Sequence, residues 1–264
     1  MLRPMRFEKP VLLMAVLLSV ISTTFAQSRS PRDKEPLDSS SPTPRIRFTK
    51  AFVVDDRLSA LRREADIKSQ VIQRLRLGRA VFIIESKGGA IDQPRFYRVA
   101  VTRRTRGWIH ESALALPSRS HEDERVMKLI TDSRDGLERI ALCRVFLQHF
   151  NRSPLAPRVL LAMAEEADRA SLALSQHARK RLKDVDERGG AKLRDYYLSD
   201  SGLDRYSKLG IAFDYEPASY EFIYDGRAYR EILKRFPRSA EAQLARKRLD
   251  SVEQRLARQH KSTL

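Results

Sequence analysis

The chain has 264 residues, 42% of them hydrophobic, and its 51 lysines and arginines exceed its 34 aspartates and glutamates, which gives a formal net charge of +17. This length holds about one to two domains, and the apolar content excludes a chain that is disordered throughout. A single cysteine, Cys143, excludes intramolecular disulfides. Because it lies in an apolar helical run, residues 137–150, we expect it to be buried rather than bridged to another chain.

The N-terminus has the pattern of a secretory signal peptide over residues 1–26. Three basic residues precede an apolar run over 11–21, which is shorter than the about 20 residues of a membrane span. Small residues stand at the cleavage positions, so we expect cleavage after Ala26. The mature protein would then be periplasmic or secreted, without a transmembrane span. An uncleaved membrane anchor is the alternative.

Residues 27–47 contain almost no large apolar side chain and include a Ser-Ser-Ser-Pro-Thr-Pro stretch. A segment of this composition cannot form a core. We interpret it as a disordered linker, although a proline-rich ligand for another protein has a similar composition.

Short apolar runs separated by polar and glycine-containing breaks follow in residues 48–117. Their spacing predicts a small antiparallel β-barrel. We assign structural roles to Gly78, which permits a turn, to Gly107, which frees the backbone before the last strand, and to Trp108, which supplies buried area.

Five segments of this barrel region, 57–62, 69–72, 75–81, 97–99 and 107–109, occur in an order that resembles a bacterial SH3-like (SH3b) domain. The resemblance implies a module that binds peptidoglycan or a peptide. If the module binds a cell-wall ligand, we expect Phe96 and Tyr97 to make apolar or stacking contacts and Arg104 to add an attraction that salt screens.

Residues 120–264 show helical periodicity, and we expect them to form an all-α domain without strands. Ser153 and Pro154 mark the start of a new helix. Residues 146–156 and 232–242 share an aromatic residue, a serine and a following alanine in register. This pattern resembles tetratricopeptide-like helical repeats. The predicted fold is therefore a multidomain α and β protein, with a small SH3-like barrel followed by a tetratricopeptide-like domain.

Nine aromatic residues lie between Tyr196 and Tyr229, interspersed with aspartates and glutamates. Aromatic faces beside carboxylates can bind sugars or basic peptides. The alternative, which we favour, is that the rings pack between helices while the acids remain solvated.

No catalytic motif is recognisable. The five histidines lack metal-ligand spacing, and no nucleophile motif or phosphate-binding loop is present. We therefore expect a protein that is not an enzyme and has no metal or cofactor.

The excess of basic residues predicts a non-specific attraction to polyanions. Export would place cell-wall polymers and lipid head groups, rather than the chromosome, within reach, so we expect no specific nucleic-acid partner. Two function classes follow. The first is an exported binding protein of the bacterial cell envelope whose barrel binds peptidoglycan or a peptide. The second is a periplasmic scaffold whose helical repeats bind a protein partner of the envelope.

Overall fold

A computed structural model of the chain describes residues 49–89, 93–187, 202–216 and 219–262. The predicted signal peptide and linker, residues 1–26 and 27–47, lie outside the described residues. The sheet and the helices belong to one compact unit, Ile46–Leu264.

Seven strands form one antiparallel sheet, with the order β3-β2-β6-β5-β4-β1-β7. Their bounds are β1 Thr49–Val53, β2 Ala60–Arg62, β3 Val71–Arg74, β4 Ala80–Lys87, β5 Phe96–Ala100, β6 Arg106–His110 and β7 Leu114–Ala115. A 3₁₀ turn, Glu111–Ala113, separates the last two strands. The apolar runs at residues 51–54, 80–84 and 96–101 of the sequence thus correspond to the neighbouring strands β1, β4 and β5.

The prediction of a closed small barrel is wrong, because the two outer strands, β3 and β7, do not pair with each other in the described part of the chain. β2 has only three residues and pairs with β6 through Arg62 and Trp108 alone. The sheet instead buries apolar side chains on two sides. Ala51 and Val53 of β1 pack into the sheet's own core, whereas Phe52 packs against helices.

Six helices lie in the described residues: α1 Glu122–Asp132, α2 Gly136–His149, α3 Ala156–Glu187, α4 Leu203–Lys208, α5 Arg227–Arg235 and α6 Ala240–Ser262. None of them combines the length and the apolar character that a membrane span requires.

The prediction of an all-α helical-repeat domain is also wrong. Strands β8 Phe213–Glu216 and β9 Glu221–Tyr224 form an antiparallel hairpin among the helices. The sequence Phe-Asp-Tyr-Glu of β8 alternates aromatic and acidic residues, which is the period of a strand and not of the helix that we predict for this segment. The hairpin is attached to α3, because the backbone N–H of Phe222 donates to the Ser175 hydroxyl at 2.8 Å.

Helix α2 is buried on two sides, as its apolar pattern predicts. Ile140 packs in a core with α3 and α5, while Cys143 and Phe146 pack in a second core with the sheet and α1. Complete burial raises the pKa of the Cys143 thiol to about 12. The prediction that this cysteine is buried is therefore confirmed.

The sequence repeat corresponds to a repeated turn. The backbone N–H of Ser153 donates to the carbonyl of Phe150 at 2.9 Å, and that of Ser239 donates to the carbonyl of Phe236 at 3.0 Å. In each copy the residue three positions further on donates to the serine carbonyl at 3.1 Å. Hence α2–α3 and α5–α6 are two helix-turn-helix units with the same connection.

Candidate functional site

Phe96 and Tyr97, the two aromatic residues expected to contact a ligand, begin strand β5 and are only 3% and 6% exposed. The Phe96 ring meets the edge of His110 with 5.4 Å between the ring centroids. Tyr97 lies in the core of the sheet. A ligand would reach either ring only after displacing its neighbours.

The hydroxyl of Tyr97 belongs to a polar network around Glu111. It donates to the Glu111 carboxylate at 3.2 Å and accepts a hydrogen bond from Arg119 at 2.7 Å. Arg119 also pairs with Glu111 at 2.9 Å, and Arg95 approaches the same carboxylate at 3.7 Å. The network joins β5, the 3₁₀ turn and the segment before α1, so the geometry gives Tyr97 a structural role.

Arg104 is exposed in the turn between β5 and β6, where its backbone N–H donates to Thr102 Oγ1 at 3.3 Å. The register pairs Phe96 with His110 and Ala100 with Arg106. Arg104 follows Ala100, the last residue of β5, and the four residue steps from Phe96 to Ala100 span about 13 Å along the strand. The structure does not bring Arg104 together with the two aromatic residues.

Two of the three residues with predicted structural roles, Gly78 and Gly107, lie at close contacts. Gly78 has φ +78°, and its N–H donates to the Val53 carbonyl at 2.8 Å. At Gly107 a Cβ would stand 2.7 Å from the Arg62 carbonyl oxygen, so the reason for this glycine is close strand packing rather than a free backbone. Trp108 is only partly buried, and Ile109 fills the core instead.

Two adjoining clefts lie between the loop after β1 and helices α1, α2 and α4. Their volumes are about 500 and 540 Å³, and both are lined by Arg57, Asp135 and Glu138. Together they are as large as the pockets that hold small molecules or short peptides.

These clefts combine an apolar lining with charged side chains of both signs. The apolar residues are Val54, Leu77, Leu129, Leu137, Ala141, Leu142 and Leu209. The charged residues are Asp55, Asp56, Asp132, Asp135, Glu138, Arg57, Arg134, Arg205 and Lys208. In a chain with a large excess of basic residues, carboxylates outnumber cations here.

Some of these charges already have a partner within their own segment of the chain. Asp55 accepts from the N–H of Arg57 at 2.7 Å, Asp135 caps α2 by accepting from the N–H of Glu138 at 3.0 Å, and Lys208 pairs with Asp204 at 2.9 Å.

Other charges on the rim are available for a ligand. Asp56, Asp132, Arg134 and Arg205 are exposed, and the described residues give none of them an ion pair within 4.0 Å. A ligand that carries both an amine and a carboxylate could pair with groups of each sign while its apolar part covers the lining.

Within the described residues, no group of histidine, cysteine and acidic side chains has the geometry to hold a metal ion. Among the described residues that line the clefts there is no histidine or cysteine, and the one serine, Ser133, donates its hydroxyl to Glu138 at 3.1 Å.

Sequence reasoning missed the clefts because their residues come from four separated parts of the chain: 54–57, Leu77, 129–142 and 205–209. The polar break Asp132-Ser133-Arg134-Asp135 between two apolar helices was the nearest signal. This polar break does not show which other segments of the chain complete the clefts.

No model of a known protein family, no curated protein and no solved structure matches the chain.

Proposed function

We propose that the chain is an exported, non-enzymatic binding protein of the bacterial cell envelope, which holds the peptide part of a cell-wall polymer in the two adjoining clefts. The observation that carries the proposal is the combination of an apolar lining with exposed charges of both signs, Asp56, Asp132, Arg134 and Arg205, which form no ion pair with the described residues. Export is supported by the basic and apolar pattern of residues 1–26.

The ligand class follows from the charges on the rim. Cell-wall peptides are short, carry free amines and carboxylates, and have apolar side chains between them. Asp132 at the end of α1 can accept from an amine, and Arg205 on α4 can donate to a carboxylate. A purely anionic polymer would match only the four cationic side chains of the clefts and would leave their five carboxylates without a partner in the ligand.

The basic surface contributes a second, less specific attraction. A formal charge of +17 draws the protein to any polyanion, and salt screens this term. Contacts inside a cleft with an apolar lining are screened less. Binding that persists at high ionic strength therefore reports on the clefts.

The test is co-sedimentation of the purified protein with purified peptidoglycan sacculi at low and high salt. The cleft variant carries Asp132→Asn with Arg205→Gln, and the control carries Asp250→Asn with Arg246→Gln on the exposed side of α6. Each variant loses one charge of each sign, so net charge is matched.

We expect the cleft variant to lose most of the sedimented fraction at high salt and the control to behave as the unmodified protein. If both variants sediment alike, or if high salt abolishes all binding by the unmodified protein, surface charge alone explains the attraction and the proposal is overturned.

A further inference from the structure

The outer strand β3 is the edge of the seven-stranded sheet, and all four of its residues are exposed. We propose that this edge is a docking site for an extended, acidic segment of a partner protein, which adds to the sheet as a further strand. None of its residues lines the two clefts, so the inference goes beyond the proposed function.

The backbone of β3 has groups that face away from the sheet. On the inner side, the N–H of Leu75 donates to the Ser59 carbonyl at 3.1 Å and the Gln70 carbonyl accepts from Arg63 at 3.0 Å. Backbone groups alternate in direction along an antiparallel strand. The N–H and C=O of Arg74 and of Val71 therefore point outward, where an added strand can pair with them.

Apolar side chains are concentrated on the same hairpin. Ile67, Val71 and Ile72 are 53%, 40% and 45% exposed, and they are three of the six large apolar side chains that the described residues leave exposed. Their clustering within six residues distinguishes this surface from scattered exposed side chains, which need no explanation. Alternate side chains of an incoming strand would cover the part of this surface that lies on their own face of the sheet.

The charges of the hairpin select the partner. Residues 62–76 contain five basic and two acidic side chains. Arg63, Lys68, Arg74 and Arg76 are exposed, and no carboxylate of the described residues pairs with them within 4.0 Å. Basic residues on an edge prevent pairing with a second copy, because like charges would meet. The same residues attract an acidic segment.

The register irregularity in the β2–β3 pairing, between Leu61 and Arg62, limits how far the added strand can run. A short segment with alternating apolar and acidic residues fits this edge. Because its side chains alternate between the two faces, its apolar residues would cover Ile72 on one face, and its carboxylates on the other face would approach the basic side chains of the hairpin.

The first test is fluorescence anisotropy of the purified protein with a labelled peptide of alternating glutamate and valine. Two matched peptides serve as controls: one with lysine in place of glutamate, and one acidic peptide with N-methyl groups on alternate backbone amides. We expect saturable binding of the acidic peptide, and at least about tenfold weaker binding of both controls. Equal binding of the N-methylated peptide would show that charge alone acts and would overturn strand addition.

Two further measurements locate the contact. The Arg74→Glu variant should bind the acidic peptide at least about tenfold more weakly, whereas the control Arg246→Glu, an equally exposed arginine on α6, should bind as the unmodified protein does. Amide hydrogen exchange should slow at Arg74 when the peptide is added to the unmodified protein. This second reading does not depend on the folding of any variant, and an unchanged exchange rate at Arg74 would place the peptide elsewhere and overturn the proposal.

Discussion

The imidazole of His149 stacks on the phenyl ring of Phe52, with 3.3 Å between the ring centroids and 15° between the ring planes. The contact joins α2 to β1. Burial, together with the nearby Lys50 ammonium, lowers the pKa of His149 to about 4. The imidazole is therefore neutral at neutral pH, and its protonation opposes folding.

Acid should destabilise the protein through this histidine. The unfolded chain takes up the proton near pH 6.5, whereas the folded protein takes it up only near pH 4, so the stabilising contribution is present above about 6.5 and is lost as pH falls toward about 4. His149→Phe keeps a stacked ring without a titrating group. Urea unfolding across this range should show a steeper loss of stability for the unmodified protein than for the variant. Identical pH slopes would contradict the assignment.

The buried Glu166 should be far more important for stability than an exposed ion pair. Its carboxylate pairs with Arg139 at 2.9 Å and with Arg169 at 2.6 Å. Glu166→Gln leaves the Arg139 guanidinium without its counter-ion, and we expect a loss of about 3 kcal/mol in the free energy of unfolding. The matched control is Glu231→Gln, which removes an exposed pair with Arg235 and should cost less than about 1 kcal/mol. Similar midpoint shifts in urea would refute this difference.

The two equivalent serines of the repeated turns should respond differently to alanine. Ser153 Oγ donates to Asp123 at 2.6 Å and accepts from the N–H of Leu155 at 3.1 Å. Ser239 Oγ is buried and has no hydrogen-bond partner among the described residues. We expect Ser153→Ala to cost about 1 kcal/mol, and Ser239→Ala to be neutral or slightly stabilising. Thermal unfolding of both variants measures the difference, and an equal loss at both positions would count against it.

Substitutions of Tyr97 should change the free energy of unfolding of the protein rather than contacts with a ligand. Tyr97→Ala removes a core ring and should cost about 3 to 5 kcal/mol, whereas Tyr97→Phe keeps the ring and loses only the hydroxyl contacts with Glu111 and Arg119, at about 1 kcal/mol. Denaturant unfolding measures both changes. A Tyr97→Ala variant as stable as the unmodified protein would show that the ring is not part of the core.

Local features of the fold could be predicted where a short pattern determines the structure. Three apolar runs predicted strands where β1, β4 and β5 lie, and the two serine turns predicted helix starts close to those of α3 and α6. Closure of the sheet depends instead on pairing between distant edges. Nothing in the three residues of β2 shows that they pair with β6 at a single position.

The same limit applies to the helical region and to the site. Phe213-Asp214-Tyr215-Glu216 fits the period of a strand, but its helical neighbours led us to assign a helix. The clefts were beyond prediction because Asp56, Asp132 and Arg205 are brought together only by packing of the loop after β1 against α1 and α4.

Alternation along β1 gives the sheet two apolar faces, since Ala51 and Val53 enter its own core while Phe52 and Val54 pack against α1, α2 and α3. The helices therefore keep the apolar face of the sheet that carries Phe52 away from water, and the sheet does the same for the apolar face of α2. Heat should melt the strands and the helices in one cooperative transition, with equal calorimetric and van't Hoff enthalpies. Cleavage of the chain after Pro117 should yield two fragments that stay associated. Phe52 of the first fragment and Phe146 of the second are buried in the same core, so each ring would be exposed to water if the fragments separated.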